Sequence, residues 1–236
     1  MAAKLYLVPS TLGEFASLAT LPQATLTSIR ELDHWVVETP KQARRFLQAA
    51  GVALRQRTLD FKVLDEHTPD SRLPELLAPA LAGTDLGVLC DAGCPGIADP
   101  GARLVRLAHA HSVFVVPLVG PSAILLALMG SGLNGQRFVF HGYLPIDPVD
   151  RARVLRDLER TSAVLDQTQI AIEAPYRNNQ LLEAVLKVCA MDTQLCIAVD
   201  LTLPTQYIGT HSIRDWRGIR PNLSKRPTVF LINAAR

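Results

Sequence analysis

The chain has 236 residues, 48% of them hydrophobic, and a net charge of +2 from 24 basic and 22 acidic side chains. That length holds one large domain or two small ones, each with an ample core. The near-balance of charge excludes a field that would drive tight non-specific binding to nucleic acid, and only a local basic patch stays open.

Met1 to Lys4 leads into a strand without the long apolar segment of a secretion signal, and the longest apolar run, Ala123 to Met129, is too short to span a bilayer. A cytoplasmic protein without membrane contact is therefore expected. Leu5-Tyr6-Leu7-Val8 reads as a buried strand, and Pro9 to Glu14 as a loop that faces a ligand. Pro22 to Leu32 has near-helical spacing and leads into the strand His34-Trp35-Val36-Val37, which ends at Glu38. Thr39 then caps a helix with Pro40 first, Ala43, Phe46, Leu47 and Ala50 on its apolar face, and Gly51 as its stop. Thr58 to Leu64 is a weak strand, Leu73 to Leu81 a helix ended by Gly83, and Leu86 to Cys90 a strand.

Asp91 to Gly101 follows, with three glycines and two prolines in eleven residues. Such a loop lets the backbone approach a ligand closely, while Asp99 is placed to cap the next helix and Pro100 to start it. That helix buries Leu104, Val105, Leu107 and Ala108, and Val113 to Val116 is the strand after it. Strands alternating with helices imply a mostly parallel sheet. The helix entered through Gly120-Pro121-Ser122-Ala123 is apolar nearly all round as far as Met129, so burial on both sides is expected and a domain boundary near it. Beyond lie the strand Arg137 to Phe140, a charged helix from Asp150 to Arg160, the strand Gln169 to Ile172 and a helix from Asn178 to Val188. Leu195 to Val199, Thr205 to Thr210 and Thr228 to Ile232 are strands with little helix between them, so the second half is α+β with an antiparallel part.

Three acids end strands: Glu38, Asp91 and Glu173. In an open sheet such ends line one crevice, where an acid either meets the ligand or orients a loop. Ser122 sits in no G-x-S-x-G elbow, which argues against a serine hydrolase, and Gly120 to Ala123 instead offers small side chains and helix N-terminal amides. The six histidines form no metal motif. Cys90, Cys94, Cys189 and Cys196 form no C-x-x-C pair and are expected as buried thiols, so no metal is expected. A dinucleotide or class I methyltransferase reading of Asp91 to Gly96 fails on position. There the glycine loop follows the first strand and an acid ends the next, whereas here it follows the fourth and no such acid comes after.

Several stretches together resemble one family, the tetrapyrrole methylases, and within it the branch that 2′-O-methylates a cytidine of small-subunit ribosomal RNA. Asp91 to Gly101 is similar to that branch's S-D-A-G-T-P-x-I-S-D-P-G, with Cys90 and Cys94 in place of Ser and Thr. Pro117 to Ala123 matches P-x-P-G-P-S-A, and Ser131-Gly132-Leu133 with Arg137 to Pro145 resembles S-G-L…R-F-x-F-x-G-F-L-P. Glu173-Ala174-Pro175-Tyr176-Arg177 resembles Y-E-S-P-H-R, and Asp200-Leu201-Thr202 stands where the branch has R-E-L-T.

The resemblance implies an α/β, two-domain class III methyltransferase fold with a mostly parallel N-terminal sheet and a mixed C-terminal one, divided into 1–118 and 119–236. It implies a homodimer that binds S-adenosylmethionine in the cleft between domains. The contacts carried over are Leu12, Asp91, Ala92, Gly93, Cys94, Ile97, Ser122 and Ala123, with Glu173 and Leu201 from the second domain. Where the branch has I-G-N and E-D-T-R, this chain has Leu12-Gly13-Glu14 and Glu38-Thr39-Pro40, and it ends at Arg236 without the longer enzymes' basic extension, as a short paralogue would. The methyl acceptor expected is RNA, with a tetrapyrrole-like small molecule, or a non-catalytic S-adenosylmethionine-binding module, as the alternatives. Glu38 and Glu173 are the candidate catalytic carboxylates. Glu38 is preferred as base because Arg177 beside Glu173 would make that carboxylate an orienting group. The scattered arginines of the second half are expected as a solvated face.

Overall fold

Apolar runs as continuous as Leu5 to Val8 and Leu86 to Leu89 demand a sheet covered on both faces. The computed structural model describes residues 3–13, 17–53 and 59–234, and the chain divides into two compact units, Met1–Ser122 and Ala123–Arg236. The first unit contains β1 (Lys4–Val8), α1 (Gln23–Glu31), β2 (His34–Val37), α2 (Pro40–Ala49), β3 (Asp60–Val63), α3 (Leu73–Leu81), β4 (Leu86–Leu89), α4 (Gly101–Ala110) and β5 (Phe114–Pro117). Its strands pair in the order β3-β2-β4-β1-β5, all parallel.

Side-chain alternation splits this sheet's neighbours into two cores. Val8, Trp35, Val37 and Leu89 pack with Ile29 of α1 and Leu47 of α2, while Leu5, Val36, Leu86 and Val88 pack with Leu76 of α3 and Leu104 of α4. Gly87 shows how the sequence fits the packing, since a Cβ there would lie 2.7 Å from the Trp35 indole. The ring occupies the space a side chain on β4 would take.

The second unit runs α5 (Ala123–Ser131), β6 (Phe138–Tyr143), α6 (Pro148–Leu165), β7 (Thr168–Ile172), α7 (Asn178–Val188), β8 (Gln194–Val199), β9 (Tyr207–Ser212), α8 (Ile213–Trp216) and β10 (Thr228–Asn233). Its sheet, ordered β6-β7-β10-β8-β9, is mixed. β6 and β7 are parallel, and β10 is antiparallel to both β7 and β8. The α/β architecture with one parallel and one mixed sheet is therefore as expected.

Some expectations change. α5 is not buried on both sides: Ala127, Leu128 and Ser131 are buried, whereas Leu125 is 50% and Met129 79% exposed. An all-round apolar pattern says that a helix avoids water, not which neighbour covers each side. Elements also shift by a few residues. α6 is longer than the apolar pattern, because Asp147 accepts from the Val149 and Asp150 amides and opens the helix early. The short α8 carried no sequence signal. Thr58 and Glu14, parts of an expected strand and loop, lie outside the described residues.

Candidate active site

Because the first sheet is wholly parallel, the loops after β1, β2, β4 and β5 leave from one edge. β1 and β4 are neighbours, yet the chain leaves β1 for α1 on one face and β4 for α4 on the other. Adjacent strands whose connections depart to opposite faces open a crevice beyond their carboxyl ends, where ligands of such sheets bind.

Three loops meet there. The Ser10 amide donates to the Gly93 carbonyl at 2.8 Å. Gly93 takes φ +77, and a Cβ on it would lie 3.3 Å from Leu12 Cδ2 and 3.6 Å from the Pro121 carbonyl oxygen. A Cβ on Gly120 would fall on the Pro9 ring, so there the loops approach with no room for a side chain, while at Gly93 the space is tight. The Cys94 thiol donates to the Pro121 carbonyl at 3.4 Å, so Cys94 is half-buried while the other three cysteines are buried as expected. Gly96 (φ +85) and Ala98 (φ +63) are also left-handed. The Asp99 carboxylate holds this bend by accepting from the Gly96 amide at 2.8 Å and the Gly101 amide at 2.6 Å. Asp99 was expected to cap α4 with Pro100 first in the helix. Instead Pro100 is the cap residue, α4 starts at Gly101, and the carboxylate is spent largely on its own loop.

Asp91 and Glu38 form a second clasp. Asp91 accepts from the Thr39 hydroxyl at 2.7 Å and the Thr39 amide at 3.2 Å, and its own amide donates to Glu38 Oε2 at 3.2 Å. Thr39 holds the cap position before Pro40, but its hydroxyl serves Asp91 and makes no cap bond to α2. Glu38 and Asp99 line a cavity with Val36, Leu64, Val88, Leu89, Cys90, Pro100 and Gly101. Burial raises the Glu38 pKa above the ordinary carboxylate value, the Asp91 amide opposes the rise, and the charges of Asp91, Asp99 and Glu66 add to it. Burial raises Asp99 too, against the pull of the amides it accepts from. Burial foremost, then Asp99 and Glu38, pushes the Cys90 thiol up, which leaves it inert. Among the described residues no basic side chain pairs with Glu38, Asp91 or Asp99. This edge therefore offers a cationic ligand group both acceptors and uncompensated charge.

Glu38 and Asp91 share this crevice, and Glu173, the third strand-end acid, lies just past β7 in the sheet of the second unit. Its buried Oε1 accepts from Arg177 Nε at 2.9 Å, Arg177 Nη2 at 2.7 Å and the Ala174 amide at 2.7 Å, while Oε2 is buried without a partner. The hydrogen bonds that Arg177 donates to Glu173 lead in raising the Arg177 pKa. Leu201 is buried in the turn after β8, between Asp200 (φ +49) and Thr202 (φ +71). A β-branched residue in the left-handed region is strained. Arg226 braces the turn through Asp200 at 2.8 Å, and the Thr202 hydroxyl is buried without a partner. No glycine marked this turn in the sequence. Of the remaining candidates, Ala92 and Ile97 are exposed on the long loop, Ser122 is buried at the end of the first unit, and Ala123 is the first residue of α5.

Comparison with known proteins adds to this geometry. No protein-family model matches the sequence. The chain is 32% identical over 210 residues to a protein of Mesorhizobium japonicum named ribosomal RNA small subunit methyltransferase I, an alignment covering 89% of this chain and 67% of that one. Among solved structures, the methyltransferase CobJ superposes with a TM-score of 0.65 at 20% identity, covering 99% of this chain and 94% of its own. A uroporphyrin-III-C-methyltransferase from Thermus thermophilus gives 0.58 at 16% identity, covering 99% and 93%.

Proposed function

This chain belongs to the tetrapyrrole methylase family of methyltransferases, in the branch of the ribosomal RNA small subunit methyltransferase I proteins, and on that premise we propose that it methylates a ribose hydroxyl of RNA. The observation that carries the proposal is the glycine cradle at the β1–β4 crevice beside three carboxylates that have no basic partner among the described residues. S-adenosylmethionine fits such a place, since its sulfonium is cationic and its other groups need close backbone approach. When bound, it supplies an activated methyl group. Leu12, Ala92, Gly93, Cys94 and Ile97 would hold it, with Asp91 keeping the β2 and β4 ends together beneath and Ser122 and Ala123 closing the β5 side. Glu173 and Leu201 are the contacts we assign to the second unit.

For proton removal we assign Glu38. Its raised pKa makes it a better acceptor of the hydroxyl proton than an ordinary carboxylate, whereas Glu173 is committed to Arg177 and orients. Positioning supplies much of the rate in such transfers. The exposed Leu125 and Met129 of α5 support a second copy of the chain as partner. Four free cysteines and no helix long and apolar enough to cross a membrane, among the described residues, fit a cytoplasmic setting.

The test is mass spectrometry of total RNA nucleosides and of tetrapyrroles from a strain lacking the gene, with methylation restored by the purified protein. Loss of one 2′-O-methylnucleoside is expected. A change confined to tetrapyrroles would replace RNA with a small-molecule acceptor, and no change in either would favour a binding module.

A further inference from the structure

The end of the second unit where β6 and β7 finish carries side chains with no evident task in the fold. Phe140 pairs with Ile170 and Tyr143 with Ile172, so β6 holds one extra residue, a bulge in which Gly142 takes φ +66. Bulges re-aim the side chains beside them, and Tyr143 is left 59% exposed. In the turn after β7, Tyr176 is 71% exposed, with the Arg177 guanidinium carbon 5.3 Å from its ring centroid. Two hydrogen bonds to the fully buried Glu173 fix that guanidinium, which in turn backs one face of the ring. Tyr143 lies near Arg177 at this end of the sheet.

A second cation stands at the same end. α6 opens from the loop that leaves β6, and Arg151, Leu155, Leu158 and Ser162 form the stripe it buries. Arg151 is only 7% exposed, its Nε is buried without a hydrogen-bond partner, and among the described residues no carboxylate pairs with it. Arg153 and Arg160 on the same helix pair with Asp150 and Asp157 in solvent, as a solvated face would. A buried guanidinium nitrogen without an acceptor is costly, and the rest of the group is left to meet a ligand.

Resting on the RNA reading above, we propose that Tyr143, Tyr176, Arg177 and Arg151 form a subsite that takes one unstacked nucleotide of the acceptor RNA. The base stacks on the Tyr176 face away from Arg177, flanked by Tyr143, and a phosphate takes the Arg151 guanidinium. Base stacking on aromatic rings is how unpaired RNA is held, and the guanidinium fork matches phosphate oxygens.

The experiment measures binding of a fluorescein-labelled, mixed-sequence single-stranded 15-nucleotide RNA by anisotropy across a salt series. Wild type is compared with Tyr176→Ala, Tyr176→Phe, Tyr143→Ala and Arg151→Met, with circular dichroism and S-adenosylhomocysteine calorimetry reporting the fold. Tyr176→Ala is expected to weaken RNA binding roughly 5- to 150-fold, the range for one lost base stack, and Tyr176→Phe to restore it. Arg151→Met is expected to lower the slope of log affinity against log salt by about 0.7 to 1. If burial of Arg151 makes that variant unfold, the two exposed tyrosines still carry the test. Wild-type RNA affinity in folded Tyr176→Ala and Tyr143→Ala overturns the subsite while leaving RNA as acceptor. Absence of RNA binding in the wild type, with S-adenosylhomocysteine still bound, overturns both.

Discussion

Gly93 is where the crevice is most sensitive. Its φ of +77 lies in the left-handed region, which costs an L-residue about 1–2 kcal/mol, so Gly93→Ala should lose that much stability. For a chain of this size that is a fall in Tm of roughly 2 to 8 °C. The new methyl would sit 3.3 Å from Leu12 Cδ2, a side-chain end that yields by a few tenths of an ångström, so the contact adds little. Valine differs because it adds two γ-carbons beyond a Cβ position that already lies 3.6 Å from the Pro121 carbonyl, which is backbone and cannot yield as a side-chain end does. Those atoms fill space we assign to the methyl donor. Overpacking of about 1–3 kcal/mol corresponds to a loss of affinity of roughly 5- to 150-fold. Calorimetry with S-adenosylhomocysteine, beside thermal scans with and without it, reads both effects. A folded Gly93→Val protein that binds S-adenosylhomocysteine as tightly as wild type would refute the reasoning and move the donor away from this loop.

Further outcomes follow from the same geometry. Burial and neighbouring charge raise the Glu38 pKa in the folded chain. Glu38 therefore stabilises the fold least once pH exceeds that raised value, and its penalty vanishes below the ordinary carboxylate pKa, where it is protonated in both states. Glu38→Gln should accordingly melt above wild type at neutral pH and level with it near the acid end, and a lower neutral Tm would contradict the assigned cause. Iodoacetamide at pH 8 should label Cys94 first, since Cys90, Cys189 and Cys196 are buried and burial pushes the Cys189 thiol up to about 12. Peptide mass spectrometry showing Cys189 labelled first would count against that packing. Light scattering at micromolar concentration should give twice the chain mass, falling toward one chain on Met129→Glu, whose side chain α5 leaves exposed. A monomer mass for the wild type throughout that range would remove the second copy.

The strands and most helices were legible because burial leaves local marks: continuous apolar runs at Leu5 and Leu86, a proline opening α2, glycines past α2 and α3. The glycine loop and the motifs around Ser122, Glu173 and Leu201 marked the family for a related reason, since close backbone approach restricts which residues can stand there. Tertiary structure alone decided what each polar group faces. Thr39 and Asp99 look like helix caps in sequence, yet Thr39 clasps an aspartate from another strand and Asp99 staples its own loop. Arg151 shares the helical face of Leu155 and Leu158 and Arg153 does not, yet only the packing of α6 shows that a charged side chain is buried there while Arg153 stays in water. Thr202 takes a left-handed turn that its residue type disfavours, held by an ion pair between Asp200 and Arg226, 26 residues apart in the chain. Hydrophobic period and backbone permissiveness are local properties that a sequence carries on its face. The partner of a hydrogen bond is chosen by distance in space, which only the folded chain defines.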